Sequence, residues 1–351
     1  MSSPTGLFFS MPSIHIPVLL EPILTDWLEG LNPRSPDRSS LVIVDGTFGG
    51  GGHTLEIAKR LRTGDWILGI DRDPQALERF ISDHPEFHAA SHDEDHREPS
   101  GWSSRSLVLP SGCRLLLACG SYCNLPGLLD GLSIPCVHGI LLDLGLSSDQ
   151  LSDSQRGFSF RVDAPLDLRF DTSVGIRASM WLQRHSEVQI ADAIYQFGEE
   201  RFSRRIARAI IEQNRIKPVE TSKELADLIH RVVPGRVHGR VDSATRTFQA
   251  LRIVVNRELE HVQAGLERLP ETLALPQTDP DGQLIQSAGR LAVISFHSLE
   301  DRLVKNAMRE DPRLKSLTKK PLVATDVEIA VNPRSRSAKL RIAERTATGT
   351  Q

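Results

Sequence analysis

The glycine-rich stretch VDGTFGGGGH, residues 44–53, decides the fold of this chain. It follows residues 41–44, a short β-branched apolar run that is typical of a buried parallel strand. Helical spacing resumes over residues 53–61, and a second strand pattern over residues 66–70 ends at Asp71. The order of strand, glycine-rich turn, helix, strand and acid predicts a βαβ unit that binds a dinucleotide or a nucleoside.

The spacing of the glycines separates two classes of cofactor. A nicotinamide fingerprint needs G-x-G-x-x-G/A, and this pattern fails whether it starts at Gly46 or at Gly49. The pattern D-x-T-x-G-x-G, residues 45–51, resembles instead the first motif of class I methyltransferases that use S-adenosylmethionine. Asp71 ends the next strand, where a carboxylate accepts hydrogen bonds from both ribose hydroxyls. A glycine-rich turn without any ligand is the alternative.

Length and composition limit the class of protein. The chain has 351 residues, of which 39% are hydrophobic and 25% are charged, and this excludes disordered, collagenous and disulfide-scaffold proteins. Its formal net charge of -3 indicates no particular partner, and its four cysteines form no CxxC pair. No run approaches the roughly 18 apolar residues of a membrane span, and the N-terminus lacks the basic region of a signal peptide. We therefore expect a soluble, cytoplasmic protein.

Later apolar runs extend the predicted sheet. They lie at residues 113–119, at residues 137–142 just before Asp143, and at residues 290–296. Residues 178–268 have mostly helical spacing, including one run over residues 245–262. The economical topology is an α/β doubly wound sheet that a helical subdomain interrupts after Asp143.

A polar segment separates two of the predicted strands. Residues 83–112 include Pro85 and Pro99, and residues 81–100 contain six acids against one arginine. His84, His88, His92 and His96 are spaced four residues apart. On a helix they would share one face and suit zinc or nickel, but the prolines and acids disfavour a helix there. We expect a solvated insertion that a short linker can replace at little cost to folding.

Motifs along nearly the whole chain carry a family resemblance. They are HIPVLLEPIL (15–24), VDGTFGGGGHT (44–54), GIDRDPQAL (69–77), GILLDLGLSSDQLSDSQRGFSFRVDAPLDLRFD (139–171), GEERFSRRIARAI (198–210), TRTFQALRIVVNREL (245–259), VISFHSLEDRLVK (293–305) and NPRSRSAKLRIAER (332–345). In this order they resemble the bacterial 16S rRNA (cytosine-N4)-methyltransferase family of the MraW type. The block over residues 139–171 is far longer than a chance motif.

The resemblance implies a class I, Rossmann-like methyltransferase sheet with an inserted helical subdomain. It implies methylation of the exocyclic N4 of a cytidine in the decoding region of 16S rRNA, within the small ribosomal subunit or its late precursor. The donor is S-adenosyl-L-methionine, no metal or membrane is expected, and a homodimer is left open. Carried over by position, the cofactor contacts are Gly51, Gly52, His53, Asp71, Tyr122, Asp143 and Gln150.

The same resemblance suggests how the chain is divided. We expect residues 1–150 and 245–351 to form the methyltransferase domain, with the polar insertion at about residues 83–112. Residues 151–244 then form the inserted subdomain that receives the RNA substrate.

Asp143 is the expected catalytic residue, because ligands bind at the carboxyl ends of strands in open α/β folds. The lone pair of the cytosine amine is conjugated into the ring. A carboxylate that accepts a hydrogen bond from this amine helps to localise the lone pair towards the methyl group. A cofactor contact and a simple turn or cap are the alternatives. Asp163, Asp167 and Asp171 are more typical of turns than of catalytic bases.

Aromatic and basic residues are candidates for contact with RNA. Phe158 and Phe160, flanked by Arg156 and Arg161, suit stacking on a flipped base and contact with its phosphates, or else anchor the loop in the core. His297 is placed to face the site, although Ser298 starts a good capping sequence. Basic clusters lie at residues 199–217, 231–257 and 334–345; they suit phosphate contact but are equally typical of solvated helix faces.

Two rival functions come from other classes. The failed fingerprint argues against a nicotinamide-dependent oxidoreductase. A ribosome-assembly factor would bind RNA without transferring methyl groups, and the intact glycine loop, Asp71 and Asp143 argue against it.

Overall fold

The structure is a computed structural model that describes residues 16–32, 39–89, 102–146, 150–151, 153, 155–233, 243–278, 280 and 284–347. Its strands are β1 Val42–Asp45, β2 Trp66–Asp71, β3 His88–Ala89, β4 Ser103–Val108, β5 Arg114–Cys119, β6 Gly139–Asp143, β7 Gln277–Thr278, β8 Leu284–Gln286, β9 Arg290–Ser295, β10 Leu314–Ser316, β11 Leu322–Val323 and β12 Lys339–Arg345. Over those residues, ten strands form one sheet in the order β10-β12-β9-β6-β1-β2-β5-β4-β3, with β11 beside β12.

The helices surround this sheet. They are α1 Leu20–Pro22, which continues as a π-helix over Ile23–Leu28 and a 3-10 turn over Glu29–Leu31, then α2 Gly52–Ala58, α3 Pro74–Asp83, α4 Leu125–Gly131, α5 Ala178–Arg184, α6 Glu187–Gly198, α7 Ser203–Ile216, α8 Ser222–Val232, α9 Ser243–Asn256, α10 Glu258–Thr272, α11 Ser298–Glu310 and α12 Asp326–Val331.

The centre of the sheet, from β9 through β6, β1 and β2 to β5, is parallel. Neighbouring residues of each strand enter different buried clusters: Ile43 and Ile67 join Trp27, whereas Val44 and Leu68 join helices α4, α10 and α11. Because successive strand residues point to opposite faces, the sheet is covered by helices on both sides. The predicted α/β sheet is confirmed.

A third buried cluster lies wholly outside the sheet. It joins the loop after β6 to helices α5–α9, with Leu182, Ile194 and Ile210 at its centre. Helix α9 belongs to this cluster through Leu251, whereas α10 packs on the sheet through Leu266. We therefore propose that the helical subdomain extends beyond residue 244, to the end of α9.

The helical run over residues 245–262 was expected to be continuous, and this expectation is wrong. Arg257 has a φ of 52° and separates α9 from α10. The Asn256 side chain donates to the carbonyl oxygens of Leu168 (2.7 Å) and Arg252 (3.0 Å). It also accepts from the N–H of Phe170 at 2.8 Å. These bonds fix the end of α9 against the loop after β6.

The prediction of a solvated insertion at residues 83–112 is wrong for its second half. Strand β4 pairs antiparallel with β5, and β3 pairs with β4. Leu107 and Leu109 are buried in the core. The physical reason is that the apolar strand β5 would otherwise present an unpaired edge, which β4 covers. His92 and His96 lie outside the described residues.

Candidate active site

Three aspartates meet at one edge of the sheet, because β1, β2 and β6 are parallel neighbours and end at Asp45, Asp71 and Asp143. A cavity of about 750 Å³ opens at this edge. The predicted site residues Gly52, His53, Asp71, Tyr122, Asp143 and Gln150 all line it. Gly51 is not among the lining residues, and its contribution lies in the shape of the loop.

The glycine loop needs residues without side chains at particular places. Gly49 and Gly51 have φ values of 52° and 72°, in the left-handed region that favours glycine. A Cβ atom on Gly51 would lie 2.5 Å from the ring of Phe80 and 2.8 Å from that of Phe48. The backbone N–H of Gly49 donates to Asp71 Oδ2 at 2.7 Å, which ties the loop to the end of β2.

Asp45 holds the loop from behind. Its Oδ2 accepts a hydrogen bond from Thr54 Oγ1 at 2.8 Å, and it is fully enclosed. Thr47 Oγ1 accepts from the backbone N–H of Asp143 at 2.6 Å and so links β1 to β6. Burial raises the pKa of Asp45 to about 6, against the opposing effect of the Thr54 hydroxyl. Asp45 therefore stabilises the shape of the glycine loop.

Asp71 already accepts one backbone hydrogen bond on each oxygen. Gly49 donates to Oδ2, and the N–H of Asp73 donates to Oδ1 at 2.8 Å. Burial raises its pKa to about 6, although both N–H donors oppose this shift. The two donors orient the carboxylate at the cavity wall and leave further lone pairs for a ligand with hydroxyl groups.

Asp143 and His53 face each other inside the cavity wall, with Oδ2 and Nδ1 3.7 Å apart. His53 Nε2 lies 2.9 Å from the carbonyl oxygen of Val18, so Nε2 carries the proton and Nδ1 does not. Burial lowers the pKa of His53 to about 4, so the imidazole is neutral at pH 7 and the contact is not an ion pair.

The carboxylate of Asp143 consequently has no cationic partner in His53. Its Oδ1 is buried without a hydrogen-bond partner. Burial raises its pKa well above the ordinary value, and the negative charges of Asp45 and Glu300 add to the effect. A buried acceptor that is left unsatisfied at a ligand cavity indicates a group that a substrate or cofactor completes.

Tyr122 stands opposite the glycine loop, in a 3-10 turn over Tyr122–Asn124. A Cβ on Gly265 of α10 would lie 2.5 Å from the Tyr122 ring, so this glycine allows the close contact between helix and ring. Burial raises the pKa of Tyr122 above its usual value, and the hydroxyl is neutral. The ring offers an apolar wall.

A charged network on the far wall of the cavity was not predicted. Arg252 Nε and Nη2 donate to Glu258 Oε1 and Oε2 at 2.7 and 2.8 Å. His297 lies beside Glu300, with Nε2 and Oε1 3.1 Å apart. The pairing of Arg252 with Glu258 depends on the turn at Arg257. This ion pair could not be predicted while residues 245–262 were interpreted as one helix.

His297 faces the cavity, as the sequence allowed, and it also caps α11. Its imidazole accepts from the N–H of Glu300, so His297 rather than Ser298 is the N-cap. Donor atoms of Glu258, His297 and Glu300 lie within 4.8 Å of one another, a geometry that can hold a metal ion. Arg252 already supplies positive charge to Glu258, and we assign no metal there.

The structure places each of the four predicted RNA-contact residues in the loop over residues 156–161. Arg156 is 4% exposed and pairs with Asp73 at 2.7 Å and with Asp153 at 2.6 Å, so its predicted phosphate contact is wrong. Phe158 and Phe160 both pack on the helical cluster and both line the cavity. Arg161 is exposed and lines the cavity, where phosphate contact stays a prediction.

The parallel sheet, the glycine loop and the acids at the strand ends define a class I methyltransferase. Comparison with known proteins then gives the family: the model of the MraW methylase family matches residues 12–346. The chain belongs to this family. Within the described part of the chain, no helix has the length and apolar character that crossing a membrane requires.

Curated relatives agree with this assignment. The chain is 44% identical over 339 residues to a ribosomal RNA small subunit methyltransferase H from Rhodopirellula baltica, covering 94% of this chain and 91% of the relative. Proteins of the same name from Deinococcus deserti and Synechococcus elongatus are 43% and 40% identical. Coverage is 95% of this chain and 93% of the relative for the former, and 94% of each for the latter.

Proposed function

We propose that this chain transfers a methyl group from S-adenosyl-L-methionine to the exocyclic N4 of a cytidine in the decoding region of 16S rRNA. The observation that carries the proposal is the Asp143 carboxylate, which lines the cavity beside the glycine loop and Asp71 and whose Oδ1 has no hydrogen-bond partner. The names of the relatives support small-subunit rRNA as substrate. Such a substrate would place the protein in the cytoplasm.

The cavity fits the proposed cofactor. Asp71 would accept hydrogen bonds from the ribose hydroxyls, and the glycine loop leaves room for close backbone approach. The neutral ring of Tyr122 and the buried Gln150 would border the remainder of the cofactor. The acids around the cavity suit a ligand that carries a positive sulfonium centre.

The protein has to position the two substrates and stabilise the charges that develop between them, since the bound cofactor supplies a methyl group that is already activated. Asp143, whose side chain lines the cavity and is 20% exposed, would accept a hydrogen bond from one N–H of the cytosine amine. This bond would orient the amine lone pair away from the ring. Because burial raises its pKa, Asp143 can then take the proton that the methylated amine loses. The neutral His53 lies beside Oδ2 of this carboxylate and donates no proton to it.

The helical subdomain would receive the RNA. Phe158, Phe160 and Phe248 bring aromatic rings from this subdomain to the cavity that Asp143 also lines. A cytidine has to leave its base stack before Asp143 can reach its amine, and aromatic rings suit a flipped base. We propose that residues 151–256 form this substrate-binding part.

The direct test uses purified protein, radiolabelled S-adenosylmethionine and small ribosomal subunits from a strain that lacks the gene. Mass spectrometry of the digested rRNA should locate one new methyl group on N4 of a single decoding-region cytidine. A methyl group on a carbon atom or on another base would refute the proposed chemistry. Label absent from the rRNA, while cofactor is bound, would support the rival assembly factor.

The role of Asp143 can be resolved with two variants. Asp143→Asn keeps an acceptor oxygen but removes the charge, and Asp143→Ala removes both. If Asp143 orients the amine, turnover should fall by about 10²–10³ in Asp143→Ala and less in Asp143→Asn. If it mainly contacts the cofactor, affinity should fall and saturating cofactor should restore turnover. Normal kinetics with a lower melting temperature would reduce Asp143 to a turn residue.

A further inference from the structure

A concave surface on the helical subdomain lies apart from the cavity described above. It encloses about 320 Å³ between the end of α6 and the start of α7. It is lined by Asp192, Tyr195, Arg201, Phe202, Ser203, Arg204 and Arg205. We refer to this surface as the basic hollow.

The arginines of the basic hollow are free to bind an anion. Arg201, Arg204 and Arg205 are exposed, and over the described residues none of them has a carboxylate within ion-pair distance. By contrast, Arg208, one turn further along α7, lies 3.6 Å from Glu187. The guanidinium of Arg201 lies over the ring of Phe202, 4.7 Å from its centroid, and this contact restrains it.

The acids of the turn between α6 and α7 are directed elsewhere. Glu199 Oε1 accepts from Ser298 Oγ at 2.9 Å. Glu200 is buried, and its Oε1 accepts from the N–H of Phe202 at 2.9 Å. Asp192 lines the hollow but pairs with none of the three arginines. The positive charge is therefore not neutralised by its own surroundings.

This arrangement works against the stability of α7. The first turn of the helix holds Arg204 and Arg205 and no acid, although the helix N-terminus already carries partial positive charge. The nearest carboxylate, that of Glu200, lies before the helix and accepts the N–H of the N-cap residue Phe202. Sequences normally place acids in the first turn, because they complement the helix dipole. Residues that lower the local stability of a fold, as these arginines do, are typical of a surface that binds a partner.

Hydrogen bonds link the segment beside the basic hollow to the lining of the catalytic cavity. Gln249, which lines that cavity, donates from Nε2 to the carbonyl oxygen of Phe197 at 3.1 Å. Ser298, which holds Glu199, follows His297 in the cavity wall. The end of α6 and the turn after it are thus hydrogen-bonded to Gln249 in the cavity lining and to Ser298 next to it.

We propose that the basic hollow binds the rRNA backbone next to the target nucleotide, with its arginines on phosphates and Tyr195 stacked on a neighbouring unpaired base. Arginine presents a planar set of donors that matches phosphate oxygens. Tyr195 is 62% exposed, and an aromatic ring stacks on any base. This inference rests on the proposed rRNA substrate and names the surface that holds it.

The test measures binding to unmethylated small ribosomal subunits at several salt concentrations. Replacing Arg201, Arg204 and Arg205 together by Gln should weaken binding at least about tenfold and flatten the slope of log K against log salt. The slope should change by roughly 0.7–0.9 for each phosphate contact that is lost. Tyr195→Ala should weaken binding about tenfold without changing the slope, because stacking releases no counterions.

Controls separate this surface from general charge and from folding. Arg215→Gln removes an exposed charge from the last turn of the same helix and should leave affinity and slope unchanged. The triple variant should keep its cofactor affinity, and its melting temperature should stay level or rise, because repulsion at the helix N-terminus is relieved.

Several results would overturn the inference. The inference is wrong if the triple variant binds subunits with the affinity and salt slope of the wild type. It is also wrong if Arg215→Gln loses as much affinity as the triple variant does. A loss on intact subunits but not on protein-free 16S rRNA would indicate an acidic ribosomal protein as the partner instead. Because the assay measures binding alone, wild-type protein that binds subunits without methylating them would refute the proposed function and not this surface.

Discussion

At the scale of single residues, the site combines acids that are held in place with one that is left open. Asp45 and Asp71 accept hydrogen bonds from the loop that they support, whereas Asp143 Oδ1 has no partner. Asp45 and Asp71 thus support the shape of the glycine loop, whereas Asp143 is left for the proposed chemistry. The positions of all three follow from the sequence, because each ends a predicted strand. Their hydrogen bonds do not, since they depend on how the strands lie side by side.

Asp71→Ala should weaken S-adenosylmethionine binding by about 1.5–3 kcal/mol, the scale of hydrogen bonds to a charged group. Asp71→Asn should be little better, because its amide can accept only one of the N–H groups of Gly49 and Asp73. Isothermal titration calorimetry on folded variants measures the effect. Unchanged affinity in both variants would refute the ribose assignment.

The raised pKa of Asp71 predicts a pH dependence of cofactor binding. Its carboxylate has to be ionised to accept both ribose hydroxyls, and its pKa in the free protein is about 6. Affinity should therefore fall about tenfold for each pH unit below about 6. Calorimetry between pH 7.5 and 5 tests this, with Asp71→Asn as a variant that should show a flatter profile.

The stability of the cofactor-free protein should change in the opposite sense at Asp71. Between about pH 4 and pH 6 the folded carboxyl binds more protons than the unfolded one, so this group adds stability as pH falls through about 6. His53 acts in the reverse direction because burial lowers its pKa to about 4. The difference in unfolding free energy between wild type and Asp71→Asn isolates the effect of Asp71. As the pH falls from about 6 to about 4, this difference should shift by about 1–3 kcal/mol in favour of wild type. A difference that does not vary with pH would contradict the burial of this group.

At the scale of elements, the parallel strands were predictable and the antiparallel edge was not. Continuous apolar runs mark β2, β5 and β9 because both faces of these strands are buried. Strand β4 alternates weakly and contains three serines, so composition suggested a solvated loop. Its place is set by the unpaired edge of β5, which is a tertiary requirement.

Replacing residues 83–112 by a Gly/Ser linker should therefore lower the melting temperature or cause aggregation. The change removes the partner of β5 and the buried Leu107 and Leu109. A matched control replaces only residues 90–101 and keeps both β3 and β4. This variant should melt close to wild type, because loop closure depends weakly on length. Equal melting temperatures for all three proteins would restore the original view of a dispensable insertion.

At the scale of the whole molecule, the sheet and the helical subdomain meet at the turn that carries Asp71. Arg156, from the loop after β6, donates to Asp73 Oδ2 at 2.7 Å and to the carbonyl oxygen of Phe170 at 3.0 Å. Asp73 also caps α3 and donates its N–H to Asp71. This docking contact is therefore joined to the proposed ribose acceptor through Asp73 alone.

Breaking this contact should affect both stability and cofactor binding. Asp73 is 1% exposed, so Arg156→Met leaves a buried carboxylate without its main cation and should cost about 3–5 kcal/mol. Arg156→Lys keeps the charge but loses the paired geometry of the guanidinium. We expect it to fold and to bind S-adenosylmethionine several-fold more weakly, although Arg156 is not among the residues lining the cavity.

The matched control for Arg156→Lys is Arg169→Lys. Arg169 pairs with Asp167 at 2.7 Å in the same loop, without reaching the turn that holds Asp71. Both variants can loosen the subdomain, but only Arg156→Lys should alter cofactor affinity in calorimetry. If both lower the melting temperature equally and neither changes affinity, the Arg156–Asp73 pair holds the fold alone. A selective loss of affinity would show that docking of the RNA-binding part and cofactor binding share free energy through one turn.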